Sequence, residues 1–288
     1  MPKAMVNGAS LYYEIHGSGD PLVFVHEFAG DLRYWRGQAD FFARQYQVVL
    51  YNARGYPPSE IPSDSRSYSQ QQAAEDLGGL LQHLGISRAH IAGHSMGGPV
   101  ALQFNFTHPE RVCSLILAAV GTGSTEPGPF RRRCQEIAAE LEANGMEALK
   151  DYLRGPERVQ LLRKRPAVWQ EFADQFMALS PGGLAVTLRA IQASRPSIFE
   201  LEAQLRAIET PALIVVGDED DPCLEPSLFL KRCLRRSGLV VFPKTGHTLP
   251  LEEPERFNQE VLDFLKAVEA NCWEEREQGI PSSSLVSS

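Results

Sequence analysis

Ser95 sits in the stretch Ala92-Gly93-His94-Ser95-Met96-Gly97-Gly98-Pro99, directly after an apolar run over residues 89–93. Small residues around one hydroxyl suit neither a helix interior nor an ordinary strand. They suit an abrupt strand-to-helix turn that holds the central residue in a strained backbone conformation. A side chain at position 93 or 97 would then collide with the neighbouring strand or helix. Such a turn presents Ser95 at the carboxyl edge of a sheet, where open α/β folds place their ligands. It also leaves the Met96 amide, at the start of the next helix, without an intrahelical partner and free to donate to a developing negative charge. The implied chemistry is a nucleophile beside an oxyanion donor. A dinucleotide or phosphate turn would show Gly-x-Gly-x-x-Gly or Gly-Lys-Ser/Thr, and this turn shows neither.

A serine hydroxyl needs a base. Of the seven histidines, His16, His83, His90 and His108 fall in or at the ends of expected strands and helices, as surface or packing residues. His94 adjoins Ser95 in sequence, but on a strained turn it is expected to point away. His247 lies in Pro243-Lys244-Thr245-Gly246-His247-Thr248, a loop between the last expected strand and the last helix, on the same rim as Ser95. An imidazole base needs a carboxylate to hold its tautomer. Asp218, Glu219, Asp220 and Asp221 follow another expected strand and end near that rim. Asp220 is the first choice and Asp221 the second, with Asp218 and Glu219 in solvent.

Several elements must position these groups. Alternation around Asn7-Gly8 predicts a hairpin, and residues 22–26 and 47–52 read as strands buried on both faces. A helix is expected from about Trp35 to Arg44. Ser69 with Gln72 suggests a capping box opening a helix to about Leu84. Residues 89–93 and 112–120 are further strands, with a helix over 96–107 between them. Strand–helix alternation predicts a mostly parallel, doubly wound α/β sheet. From 122 to 209 no strand is expected, only helical stretches punctuated by glycine and proline. Alternation resumes with a strand at 212–217, a helix near 226–236, a strand at 239–242 and a helix from Pro254 to about Ala270. The parse is one core, 1–121 with 210–271, interrupted by a helical insertion, 122–209, and followed by a tail, 272–288, expected to be disordered.

Taken together, these stretches resemble the α/β-hydrolase family over residues 9–270. The matching pieces are His26-Glu27-Phe28-Ala29-Gly30, Asn52-Ala53-Arg54-Gly55, Gly93-His94-Ser95-Met96-Gly97, Gly217-Asp218-Glu219-Asp220 and Gly246-His247. The resemblance implies that the insertion is a cap over the site. It implies that the acid stands three residues after Gly217, at Asp220, and that the second oxyanion donor is the backbone N–H of Phe28 beside that of Met96. It also implies ester, lactone, thioester, amide or certain carbon–carbon substrates, because relatives that open carbon–halogen bonds or epoxides carry aspartate at the elbow. Two residues depart from the pattern. Glu27 stands where the family has glycine, and a carboxylate facing the oxyanion hole would repel the charge it must stabilise. Glu27 is therefore expected to turn away, toward an arginine or the cap; facing the pocket, it would instead select a cationic or proton-donating group. Asn52 replaces the family's aspartate, with local rearrangement expected.

The expected chemistry is acyl transfer to water: Ser95 attacks, His247 takes its proton and Asp220 orients the imidazole. The expected substrate is a small, largely apolar carboxylic ester or lactone, with Glu27, Phe130, Trp169 and Phe172 as candidate pocket residues and no cofactor or metal. Alternatives are carbon–carbon hydrolysis or cofactor-free perhydrolysis with the same three residues, or a low-turnover ligand receptor. The 288 residues carry a net charge of −8, which argues against a nucleic-acid partner. Five scattered cysteines suggest reduced thiols and, with no signal-peptide pattern and no membrane-length apolar run, a cytoplasmic protein. Asn105-Phe106-Thr107 is read as a chance glycosylation pattern.

Overall fold

A computed structural model describes residues 2–275. Eight strands form one sheet: β1 (Lys3–Val6), β2 (Ala9–His16), β3 (Asp20–Val25), β4 (Tyr46–Tyr51), β5 (Ala89–His94), β6 (Val112–Ala118), β7 (Ala212–Gly217) and β8 (Ser237–Phe242). Their order is β1-β2-β4-β3-β5-β6-β7-β8. The pairs β1–β2 and β2–β4 are antiparallel and all others parallel. Asn7 and Gly8, with φ of 46° and 76°, make the β1–β2 turn.

Each central strand divides its side chains between two apolar layers. Leu22, Phe24, Val48, Leu50, Ile116 and Val215 enter one, which the helices Arg36–Phe42 and Pro254–Glu269 cover with Phe42, Phe257 and Phe264. Val23, Val49, Ile91, Leu115 and Ile214 enter the other, closed by Leu77 and Leu80 of Gln70–His83 and by Phe104 of Gly97–Thr107. This burial on both faces is why the strands read as unbroken apolar runs.

Local differences from the sequence expectation have physical causes. Ser69 caps its helix by accepting from the Gln72 N–H at 2.9 Å. The reciprocal half of the box is missing because the Gln72 amide reaches Asp76 instead. The helix expected near 226–236 spans Asp221–Cys233, with Pro222 in its first turn and Pro226 inside it. Pro226 is accommodated inside the helix, against Gly121. Asn105 is buried and donates to Thr210, so its amide is committed to packing.

Between β6 and β7 the described residues contain helical elements only, among them Pro127–Asn144, Val159–Lys164, Pro166–Met177, Pro181–Thr187 and a π-helical turn, Leu188–Gln192. Arg131, Arg132 and Arg133 lie exposed on the first of these. Within residues 272–275, assigned to the tail from sequence, Trp273 is packed while Cys272, Glu274 and Glu275 are exposed. Trp273 meets Phe264 edge-on at 4.8 Å and donates its indole N–H to the Arg236 carbonyl. The rest of that tail, 276–288, lies outside the described residues. No helix among the described residues is long and apolar enough to cross a membrane.

Candidate active site

The turn after β5 has the expected strain. Ser95 has φ of 50°, and its N–H is tied to the Ala118 carbonyl of β6 at 2.9 Å. A Cβ on Gly97 would stand 2.3 Å from the Val25 carbonyl oxygen, and one on Gly93 would stand 2.4 Å from that of Gly97. Both contacts are with backbone, which cannot swing aside, so the strand-to-helix turn closes only with glycine at these places.

Ser95 lines a cavity of about 540 Å³ with Phe28, Met96, Asp220 and His247. These residues follow β3, β5, β7 and β8, so four strand ends converge on one carboxyl edge. His247 Nδ1 and Asp220 Oδ2 are 2.9 Å apart, and Asp220 is wholly buried. The carboxylate can only accept, so His247 carries its proton on Nδ1 and leaves Nε2 as the basic lone pair. Asp221 instead begins the following helix and is exposed. Asp218 is exposed too, whereas Glu219 is partly covered and takes a hydrogen bond from Gln160.

The backbone of His247 is held from both sides. Its N–H donates to the Glu157 carbonyl at 2.6 Å, and its carbonyl accepts from His94 Nε2 at 2.8 Å. Buried Glu252 takes hydrogen bonds from the Gly246 N–H and the Thr248 hydroxyl, pinning the loop on each side of the histidine. His94 thus points away from the cavity, as expected, yet it supports the His247 backbone. It stacks on Tyr34 at 5.0 Å, and burial lowers its pKa to about 4, so it is neutral at pH 7.

The loop after β3 is organised by His26. Its Nε2 accepts from the Ala53 N–H at 3.0 Å and its Nδ1 donates to the Glu27 carbonyl at 2.7 Å, a pattern only the neutral ring can make. Burial lowers its pKa accordingly. Tyr56 donates to the Phe28 carbonyl at 3.0 Å, and Asn52 accepts from the Leu32 N–H while donating to Tyr56 and Pro57 carbonyls. Among the described residues, the amides of Phe28 and Met96 make no hydrogen bond.

Glu27 is fully buried and forms two hydrogen bonds with Arg158 of the helical segment, at 3.1 and 2.5 Å. Burial alone would push its carboxyl up, but the Arg158 charge outweighs it and holds the pKa at about 2. Glu27 does not line the cavity; Arg158 does. The expected turn toward an arginine is therefore found, and the candidate placement of Glu27 in the pocket is corrected. Phe130 lines the cavity, but Trp169 and Phe172 do not. Trp169 donates to the Leu153 carbonyl beneath Arg154, and Phe172 packs edge-on to Tyr34. Both are packing residues, because the helix Pro166–Met177 turns its aromatic face to the core.

Asp220, Cys223 and His247 bring potential metal ligands within 4.8 Å of one another. As they stand they form a hydrogen-bonded set. The imidazole proton on Nδ1 is spent on Asp220. The Cys223 thiol donates to the Ala119 carbonyl, and burial, then the Asp220 charge, raises its pKa well above the usual thiol value. A metal would have to displace both protons.

Residues 20–254 match the family model for the alpha/beta hydrolase fold. The chain belongs to this family. It is 30% identical over 274 residues to a putative carbamate hydrolase of Azorhizobium caulinodans, covering 92% of this chain and 98% of that protein. A thermophilic esterase from Thermogutta terrifontis superposes with a TM-score of 0.84 at 26% identity, over 93% of this chain and 98% of that one. An enol-lactonase from Burkholderia xenovorans does so with a TM-score of 0.80 at 26% identity, over 92% of this chain and all (100%) of that one. Membership of this family, with hydrolase, esterase and lactonase relatives, supports hydrolase activity.

Three site features had escaped the sequence: Arg158, the prop from His94 and the latch on Glu252. Adjacency to Ser95 was the only signal for His94. Nothing local marks Arg158, which lies 131 positions from Glu27.

Proposed function

We propose that the protein is a serine hydrolase that cleaves a small carboxylic ester or lactone through an acyl-enzyme. The observation that carries this is the Asp220–His247 hydrogen bond at 2.9 Å within a cavity that also receives the strained Ser95. Ser95 Oγ attacks the carbonyl carbon while His247 Nε2 takes its proton. Asp220 stabilises the imidazolium and keeps the ring's tautomer. The Phe28 and Met96 amides donate to the tetrahedral oxyanion, each such donor contributing about 3 kcal/mol to the barrier reduction. Imidazolium returns the proton to the leaving alkoxide, and water then repeats the sequence on the acyl-enzyme.

Glu27 bears directly on this chemistry. An unpaired carboxylate there would oppose the oxyanion, and Arg158 cancels that charge at close range. The altered loop was the one feature favouring a low-turnover receptor, and this pairing removes that argument. The helical segment 122–209 serves as the cap, with Phe130, Ile137, Tyr152 and Leu188 facing the substrate.

Short p-nitrophenyl esters and simple lactones should be turned over by the native protein and not by Ser95→Ala. A fluorophosphonate should add its mass at Ser95. Undiminished turnover by Ser95→Ala would end the proposal.

A further inference from the structure

Three arginines are more than nine-tenths buried among the described residues: Arg54, Arg158 and Arg195, at 6%, 5% and 8% exposure. Two of them face a carboxylate. Arg54 donates to both oxygens of Asp76, each at 2.9 Å, and Arg158 to both oxygens of Glu27. Arg195 has no such partner among the described residues. Its Nε donates to Gln192 Oε1 at 2.8 Å and its Nη2 to the Thr122 carbonyl at 2.5 Å. Its guanidinium lies 5.2 Å over the Phe130 ring. Those two hydrogen bonds use two of its five N–H groups. One on Nη2 and both on Nη1 remain.

The titratable groups that bear on Arg195 are the thiols of Cys134 and Cys223. Burial raises the first to about 11, and the second is higher than an ordinary thiol for the same reason, so neither supplies negative charge at pH 7. A buried guanidinium without a counter-charge is costly, and the other two buried arginines among the described residues avoid the situation. Arg195 also lines the cavity that holds Ser95 and His247. It is fixed on the wall that carries the base: Thr122 accepts from Arg195, the Thr122 hydroxyl is 3.3 Å from Cys223 Sγ, and that sulfur is 3.9 Å from His247 Nδ1. The other charges along the cavity are accounted for or lie outward. Arg133 is exposed and pairs with Glu136 and Glu140. Asp151 is exposed and Glu157 half-buried, and neither pairs with Arg195.

We propose that Arg195 receives a carboxylate carried by the substrate, so that the preferred substrate is an acid ester or acid lactone: one small molecule with a scissile acyl group and a free carboxylate, joined by an apolar link. Donors remaining on both Nη1 and Nη2 suit the two oxygens of a carboxylate. Phe130, Ile137 and Leu188 line the space for the link. This deepens, and rests on, the serine-hydrolase reading of the same cavity.

Monophenyl esters of succinate, glutarate and adipate, each paired with a neutral ester in which isopropyl replaces the carboxylate, test the subsite. At least one acid ester should exceed its neutral partner by about 10- to 100-fold in kcat/KM, the range of a charge-assisted hydrogen bond. Arg195→Met should erase that preference, whichever way the neutral rate moves. No preference in the native protein, or a preference that survives Arg195→Met, overturns the proposal. Should Arg195→Met not fold, Arg195→Lys keeps the charge but loses the fork; a severalfold drop in preference supports the subsite and an unchanged preference opposes it. Calorimetry of glutarate with Ser95→Ala separates this proposal from the catalytic one. Glutarate binding that Arg195→Met abolishes supports the subsite even if no ester is turned over. Ester turnover that requires Ser95 but ignores the carboxylate overturns the subsite alone.

Discussion

The sheet rim and the helical segment over it contribute to one cavity by different means. At the rim, geometry is set by backbone: Ser95 is strained, its amide is tied to β6, and Gly93 and Gly97 permit contacts that no side chain would. The segment 122–209 contributes by side chains and by charge. Arg158 crosses to Glu27, Arg195 faces the cavity, and the Glu157 carbonyl holds the His247 amide. The rim is therefore suited to placing reacting atoms within tenths of an ångström. The segment is suited to deciding what enters and to neutralising what the rim leaves uncompensated.

Substitution should separate the two contributions. His247→Ala removes the proposed base without touching the sheet. It is expected to lower kcat by about 10³-fold or more with a small change in thermal midpoint. Phe130→Ala, in the segment, is expected to act mainly through KM, by about tenfold or less; a comparable loss of kcat from both would erase the division drawn here. The next largest effect is on stability. Arg158→Met leaves Glu27 buried and unpaired, a situation that costs about 3–5 kcal/mol. Adding Glu27→Gln to Arg158→Met is expected to recover more than half of that loss in denaturant titrations. A double variant no better than the single would mean that the bridge between rim and segment is not held by the ion pair.

The same division explains what could be read from sequence. Asn7-Gly8, the apolar strands and the Ser95 turn are specified by neighbours along the chain, through backbone conformation and burial on both faces. Composition around the acids alone left Asp220 and Asp221 both open; a family spacing from Gly217 chose Asp220, and its contact with His247 agrees. The helix expected near 226–236 starts earlier, at Asp221, with Pro222 in its first turn and Pro226 inside it. Trp169 and Phe172 were assigned to the pocket from their position in the segment, but only packing decides whether an aromatic face meets the core or the cavity. Arg158 and Arg195 were invisible for the same reason. Arg158 pairs with Glu27 and Arg195 reaches the Thr122 carbonyl, both far away in the chain.

Acid should also distinguish the regions. His94 is held near pKa 4 by burial, against 6.5 for a free imidazole. The unfolded chain therefore binds this proton first, and stability falls as pH drops from 6.5 to 4, by up to about 3 kcal/mol for this residue. Buried His90, also near 4, adds a fall in the same window. Glu27 behaves as a depressed acid: its contribution is complete above 4.5 and is lost as pH falls toward 2. His94→Gln, which keeps an N–H for the His247 carbonyl, is expected to flatten the stability curve between pH 6.5 and 4, by at most about 1.4 kcal/mol per pH unit. Glu27→Gln is expected to flatten it only below 4.5. Identical curves for the two variants would show that rim and bridge do not titrate independently.

The smallest effect probes the boundary between lining and packing. Trp169 is buried, donates its indole N–H to the Leu153 carbonyl at 3.1 Å and lies under Arg154 at 4.7 Å. Trp169→Phe keeps a ring for the guanidinium but leaves that carbonyl without its donor, a cost of about 1 kcal/mol. The kinetic constants are expected to stay within about twofold, because the ring does not line the cavity. A tenfold rise in KM at unchanged stability would put the indole against the substrate and move the boundary of the site one layer outward. That result would make the helix Pro166–Met177 part of the specificity wall rather than its support.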